Sequence, residues 1–227
     1  MPGYFITFEG ADGSGKTTQA RLLVERLREA GRAVHPTREP GATPLGGVMR
    51  AALLHPEATL TALAQAGLAP GDKPAEPMLP LTEALLLSAD RTQHVARMRD
   101  WLASGAIVVS DRYADATLAY QGYGRGFDLD ALRTLQQMAT GGLMPDVTLL
   151  LDMPVDEGQR RKRAGHEDGE EINRLDLEQR DFRERVRAGY QALAAAEPQR
   201  WVALDATESM GALAEQIWAA VSRRLGL

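Results

Sequence analysis

A chain of 227 residues with 44% hydrophobic and 25% charged residues is long enough for one sizeable core, so a single α/β domain over 1–227 is expected. A formal net charge of −5 argues against nonspecific nucleic-acid binding, and zero cysteines exclude disulfides and thiolate metal sites. No apolar run reaches membrane-spanning length and the first strand follows Met1 closely, so the expectation is no membrane span, no signal peptide and a cytoplasmic protein.

Tyr4-Phe5-Ile6-Thr7-Phe8 is aromatic and β-branched, the mark of a buried strand. It leads into Gly10-Ala11-Asp12-Gly13-Ser14-Gly15-Lys16-Thr17, which fits G-x-x-x-x-G-K-[ST], the phosphate-binding P-loop. From Thr18 to Ala30, Leu23, Leu27 and Ala30 recur at the spacing of an amphipathic helix. Strand, loop and helix in that order aim backbone N–H groups and a helix dipole at a phosphate. The run Gly10 to Thr18 is therefore expected to bind ATP, with Lys16 reaching the β- and γ-phosphates and the Thr17 hydroxyl facing Mg²⁺.

Further strands are expected at Ala33–Thr37, Ile107–Ser110, Val147–Leu151 and Trp201–Leu204. Alternation with helices predicts a five-stranded parallel sheet covered on both faces. Charged residues cluster at the strand ends: Glu9, Arg38-Glu39, Asp111-Arg112, Asp152 and Asp205. In an open parallel sheet those ends line the ligand crevice. A short helix is expected over Ala58–Leu68 and a long amphipathic one over Thr82–Leu102. Asp128 can cap a helix through Met138, Pro154 fits a first helical turn, and Ser209 or Thr207 can cap the last helix. Trp101, Trp201 and Trp218 are expected in the core. Two segments break the alternation. Residues 55–80, with Pro-Gly-Asp-Lys-Pro at 70–74, read as an insertion without catalytic consequence. Residues 160–174, polar, glycine-bearing and rich in arginine, read as a mobile lid.

A P-loop alone fits a kinase, a motor or partitioning ATPase, or an ATP-dependent switch acting on a protein partner; the lack of an N-K-x-D motif weighs against a GTPase. Phosphoryl transfer to a phosphorylated acceptor needs a second anion site. Arg38, Arg50, Arg91 and Arg112 supply planar, permanently charged forks for one.

Six segments stand out: Phe8-Glu9-Gly10 through Lys16-Thr17-Thr18, Thr37-Arg38-Glu39-Pro40-Gly41, Ser88-Ala89-Asp90-Arg91, Asp111-Arg112-Tyr113, Ala119-Tyr120-Gln121-Gly122-Tyr123-Gly124-Arg125-Gly126 and Pro145-Asp146 through Asp152. Together they resemble the thymidylate kinase family from end to end. The resemblance implies a three-layer P-loop NTPase fold and transfer of the γ-phosphoryl group of ATP to dTMP, with Mg²⁺ as cofactor. It also implies a homodimer, to which the helix 82–102 is a plausible contributor. It implies that Asp12 accepts the deoxyribose 3′-hydroxyl, that Arg50 and Arg112 hold the monophosphate, and that Arg91 bonds thymine O4. Thr117 and Gln121 would read the base edge, Tyr120 and Tyr123 would wall the sugar, and Glu39 would approach the acceptor or metal. Asp111 would sit near Mg²⁺ through water. A kinase for another nucleoside monophosphate, or for a deoxynucleoside, is the alternative.

The sequence departs from the family pattern twice. Leu87 stands where a phenylalanine commonly stacks on thymine, and Gly13 stands where one subtype carries an arginine. The other subtype moves its catalytic arginines to the lid. On a helix Arg160 and Arg163 share a face, so these two are expected to join Lys16, Asp12 and Arg112 in catalysis, with Arg161 turned to solvent and Arg174 in reserve.

Overall fold

The computed structural model describes residues 3–69, 76–167 and 173–227. Five parallel strands, β1 (Tyr4–Glu9), β2 (Val34–Arg38), β3 (Ile107–Asp111), β4 (Val147–Asp152) and β5 (Trp201–Asp205), pair in the order β2-β3-β1-β4-β5. Each matches its expected strand to within one residue. β1 lies between β3 and β4, with Ile6 opposite both Val109 and Val147. The loops after β1 and β3 therefore leave the sheet side by side.

Helices α1 (Lys16–Glu29) and α9 (Met210–Leu225) cover one face of the sheet, packing Leu23, Leu27, Leu213, Ile217 and Val221 on Ile6, Phe8, Val109 and Leu149. The other face takes α4 (Pro80–Ala103), α6 (Leu129–Thr140) and α8 (Arg180–Ala196), whose Val95, Met98, Leu132, Val186 and Tyr190 bury Phe5, Val108 and Leu150. Burial on both faces is why the three central strands, β1, β3 and β4, read as nearly continuous apolar runs, while the edge strand β2 is half-exposed. α2 (Pro44–Leu54) packs along α4, and α3 (Pro56–Gln65) covers most of the expected 58–68 helix.

Local differences from expectation have local causes. Gly15, left-handed at φ 85°, ends the loop and lets Lys16 and Thr17 enter the first turn of α1. Asp128 caps α6, which runs on to a left-handed Gly141. Ser209, not Thr207, caps α9, accepting from Ala212 N. Helix α7 (Val155–Glu167) begins after Pro154, whose carbonyl accepts the first amides, and it takes in the whole basic run 160–163. Only Trp201 among the tryptophans is fully buried; Trp101 stacks on His35 at 4.7 Å and Trp218 lies under Arg26. The turn expected at 70–74 and residues 168–172 of the expected lid lie outside the described residues. None of the helices described is long and apolar enough to cross a membrane.

One element carried no signal in the sequence. After α5 (Ala114–Thr117) the chain winds as a π-helix over Leu118–Gly124, then turns into α6. Gly124 and Gly189 let this segment sit tightly on α8, because a Cβ at either would strike Phe182 or Tyr123. π-Helical turns concentrate at functional sites, and this one sets Tyr120 and Gln121 on the wall of a cleft.

Candidate active site

The P-loop forms the floor of a large cleft bordered by Gly13, Gly15, Lys16, Thr17, Thr18, Arg38, Asp111, Arg161 and Lys162. Gly10, Gly13 and Gly15 all adopt positive φ, which turns successive amides inward. Lys16 is buried and donates to Ala11 O at 2.7 Å and Ser14 Oγ at 3.3 Å. Burial, then the Arg112 charge, lowers its ammonium to about 8 against the opposing pull of Asp12 and Asp111. Thr17 Oγ1 donates to Asp111 Oδ2 at 2.5 Å, joining a hydroxyl and a carboxylate across the β1–β3 gap. Such an oxygen pair suits Mg²⁺, which binds through one or two protein oxygens plus substrate phosphates. Among the described residues there is no cluster of three or more His, Asp or Glu that could hold a metal without a nucleotide.

A second cleft, lined by Arg50, Leu53, Glu83, Leu87, Arg91, Thr117, Tyr120, Gln121 and Arg174, meets the first at Asp12, Glu39, Arg50, Arg112 and Asn173. Arg112 is the hinge of this junction. Its guanidinium is paired with Asp12 and donates to Gly10 O at 3.1 Å and to the hydroxyls of Tyr190 and Tyr120, each at 3.2 Å. It stands at φ 72°, the one described non-glycine residue with positive φ. Such backbone costs on the order of 1–3 kcal/mol and persists where the surroundings enforce it, characteristically at functional sites. Burial alone would raise the Asp12 carboxyl, but Arg112 and then Lys16 hold it at about 2. Beneath Arg112, Glu9 accepts from Tyr190 Oη and Tyr113 N, each at 2.8 Å, and burial reinforced by Asp115 pushes its carboxyl up to about 8.

On the far wall Arg91 is fully buried. It donates to Glu39 Oε2 at 2.8 Å, Thr117 Oγ1 at 3.1 Å, Tyr113 O at 3.0 Å and Gln136 Oε1, which uses four of its N–H groups and leaves one on Nη2. Glu39 is also paired with His94 Nδ1 at 2.9 Å, and His94 with Thr37 at 2.7 Å. Gln121, 2% exposed, donates Nε2 to Glu83, and its carbonyl Oε1 is buried with no partner. Arg50 donates to Pro40 O at 3.0 Å and faces both clefts.

The thymidylate kinase family model matches residues 8–217, a span containing the loop, the junction and the far wall. Thymidylate kinases of a Synechococcus species and of Thermomicrobium roseum are 48% and 49% identical to this chain, covering 98% and 96% of it and 96% and 94% of their own lengths. The chain belongs to the thymidylate kinase family. A crystal structure of thymidylate kinase from Ehrlichia chaffeensis superposes with a TM-score of 0.65 at 31% identity, covering 90% of this chain and 93% of that one. The five-stranded parallel sheet is accordingly that of a P-loop NTPase.

Within this family frame the lid arginines fall differently from expectation. Arg160, 70% exposed, is paired with Glu157 at 2.7 Å, and neither it nor Arg163 lines either of these two clefts. Arg161, expected in solvent, lines the triphosphate cleft with Lys162 while bonding Glu157 and Ala206 O. The cause is the phase of α7. A Cβ at Gly13 would strike the Gly158 carbonyl, and one at Gly158 would lie 2.9 Å from Asp12 O, so the helix docks by Gly158 onto the P-loop. Positions three and four residues on, 161 and 162, share that face. The same contact explains Gly13: an arginine there would displace α7. Arg174 is not poised over the P-loop; it binds Glu83 and Leu53 O, beside α2 and α4. Tyr123 packs against Gly189, outside the pocket that Tyr120 lines.

Glu83, Tyr190, Gln136 and Asn173 escaped the sequence reading. Glu83 left a trace: it precedes Leu87 and Arg91 at helical spacing, a carboxylate on the buried face of α4.

Proposed function

We propose that this chain transfers the γ-phosphoryl group of ATP to dTMP, giving dTDP and ADP. The observation that carries the reading is the meeting of two clefts at Asp12, Arg50 and Arg112, one floored by the P-loop and the other lined by Gln121, whose carbonyl is unpaired, and Arg91, which has a spare N–H. Thymine offers a donor at N3 beside an acceptor at O4. Gln121 Oε1 and Arg91 Nη2 supply the complementary pair, and Leu87 covers one face of the ring. Arg50 and Arg112 hold the acceptor phosphate, whose oxygen forms a bond to the γ-phosphorus as the bond to the β,γ-bridging oxygen breaks. A phosphate monoester is already anionic, so no general base is required; a deoxynucleoside acceptor would need one and would leave both arginines idle.

Lys16 exchanges its contacts with Ala11 and Ser14 for the β- and γ-phosphates, and Arg161 and Lys162 on α7 neutralise the transferred group. Mg²⁺ held by Thr17, with Asp111 acting through water, would supply charge neutralisation on the triphosphate. Asp12, ionised well below neutrality, accepts the sugar 3′-hydroxyl, and Tyr120 closes over the ring. We place the reaction in the cytoplasm and the chain in a homodimer. Its contact is the exposed apolar face of α2 and α4, Leu45, Val48, Leu81 and Leu85. Leu85→Glu should convert the dimer to monomer by light scattering.

The test is an acceptor panel with ATP, followed by ADP release. dTMP should turn over best and dUMP less well, one methyl group being worth about 1–3 kcal/mol, with AMP and GMP negligible. Turnover of AMP or GMP at the dTMP rate would reject the proposal.

A further inference from the structure

An amide side chain can read a base only if its orientation is enforced, because Gln121 turned end for end would present an N–H₂ donor where thymine also offers a donor. The enforcing group is Glu83. It is 2% exposed, and its carboxylate accepts from Gln121 Nε2 on one oxygen and from Arg174 Nη2 and Arg125 Nη2 on the other, the last at 3.4 Å. A carboxylate flanked by two guanidinium groups is an acceptor, so it takes the amide nitrogen and leaves the carbonyl of Gln121, a residue lining the cleft, buried without a partner. Arg125 is anchored in turn to Glu178 at 2.5 Å, and Arg174 to Leu53 O at 3.1 Å, so the carboxylate is held from three elements.

We propose that Glu83 is a positioning residue that sets base specificity: it locks the Gln121 amide in the orientation that accepts thymine N3–H and rejects cytosine, whose N3 is an acceptor. This rests on the base-edge reading of Gln121 above. Glu83→Gln offers Gln121 a partner that can donate or accept, so the amide is free to turn.

The experiment uses the full chain with ATP, measuring kcat and KM for dTMP and the inhibition constant of dCMP. Glu83→Gln should raise the dTMP KM at least about tenfold, leave kcat within about threefold, and narrow the dTMP-to-dCMP affinity ratio about tenfold or more. A packing defect would weaken both nucleotides alike. Should Glu83→Gln melt below the assay temperature, Glu83→Asp, which withdraws the carboxylate by one methylene, should narrow the ratio in the same direction. Gln121→Met separates the two ideas. If it loses the discrimination while the folded Glu83 variant keeps the wild-type ratio, the role of Glu83 is overturned and the base-edge reading survives; if Gln121→Met also keeps the ratio, both fall.

Discussion

The triphosphate cleft is floored by residues 10–18, one unbroken run, whereas the acceptor cleft is assembled from Glu39, Arg50, Glu83, Arg91, Arg112 and Gln121, which meet only in the fold. The first is built of backbone amides held by three positive-φ glycines, so its chemistry is insensitive to most side chains. The second is built of side chains whose hydrogen bonds are largely committed to one another, so one substitution alters which donors and acceptors are left over. Phosphate recognition is local and specificity is global, and substitutions on the two sides should differ in kind.

The largest effect belongs to Lys16, the buried cation in the floor of the triphosphate cleft. Lys16→Ala should lower kcat by about a thousandfold or more, on the scale of removing a preorganised transition-state charge. Near-normal turnover in the variant would remove the triphosphate assignment.

Next come the cations of α7. Arg161→Ala should reduce kcat at least about tenfold with little change in the dTMP KM, the pattern of a contact made in the transition state, while Arg160→Ala should stay within about twofold of wild type. The reverse ranking would mean that α7 rotates when nucleotide binds.

A subtler contrast is in pH. Glu9, raised to about 8 in the fold, keeps a proton that the unfolded chain releases near its ordinary carboxyl value. Its contribution is therefore fully present at low pH and lost as pH rises to about 8. Lys16, lowered to about 8, works oppositely: the unfolded chain binds the extra proton, and stability recovers as pH climbs from there toward the free lysine value. Glu9→Gln should abolish the decline below pH 8 in chemical-denaturation midpoints and leave the higher range unchanged. An unchanged slope in that variant would show that Glu9 is ionised in the fold.

These contrasts also mark what the sequence made legible. β1, β3 and β4 were readable because each is a buried apolar run ended by a charge, and the P-loop because its geometry is local. The π-helix was not, since nothing in Leu118–Gly124 distinguishes one wide turn from an α-turn; its fit depends on Gly189, far along the chain. Helical spacing puts Arg160 and Arg163 on one face but leaves the phase of that face open, and the phase is fixed by Gly158 touching Gly13, which sets Arg161 and Lys162 on the cleft. Glu83 was hidden because its partners, Gln121, Arg125 and Arg174, lie at least 38 residues away.

The smallest effect tests how far the acceptor cleft has adapted to its own departure. Leu87 lines that cleft with Leu53, Leu54 and Leu175, aliphatic side chains that lack the quadrupolar attraction an aromatic partner would offer a ring. Leu87→Phe restores that attraction, worth about 0.5–1.5 kcal/mol, and should tighten dTMP binding about two- to tenfold by calorimetry. The substitution adds bulk to a half-buried position, and Leu53, a buried α2 side chain lining the same cleft, is the neighbour to vary with it. If α2 gives way, affinity rises while kcat holds, because Leu87 is remote from the P-loop cleft. If it does not, binding weakens, and Leu87 and Leu53 are a matched pair. Leu53→Ala combined with Leu87→Phe should then recover the affinity that Leu87→Phe alone loses, whereas additive losses in the double variant would show that the aliphatic wall never contacts the base.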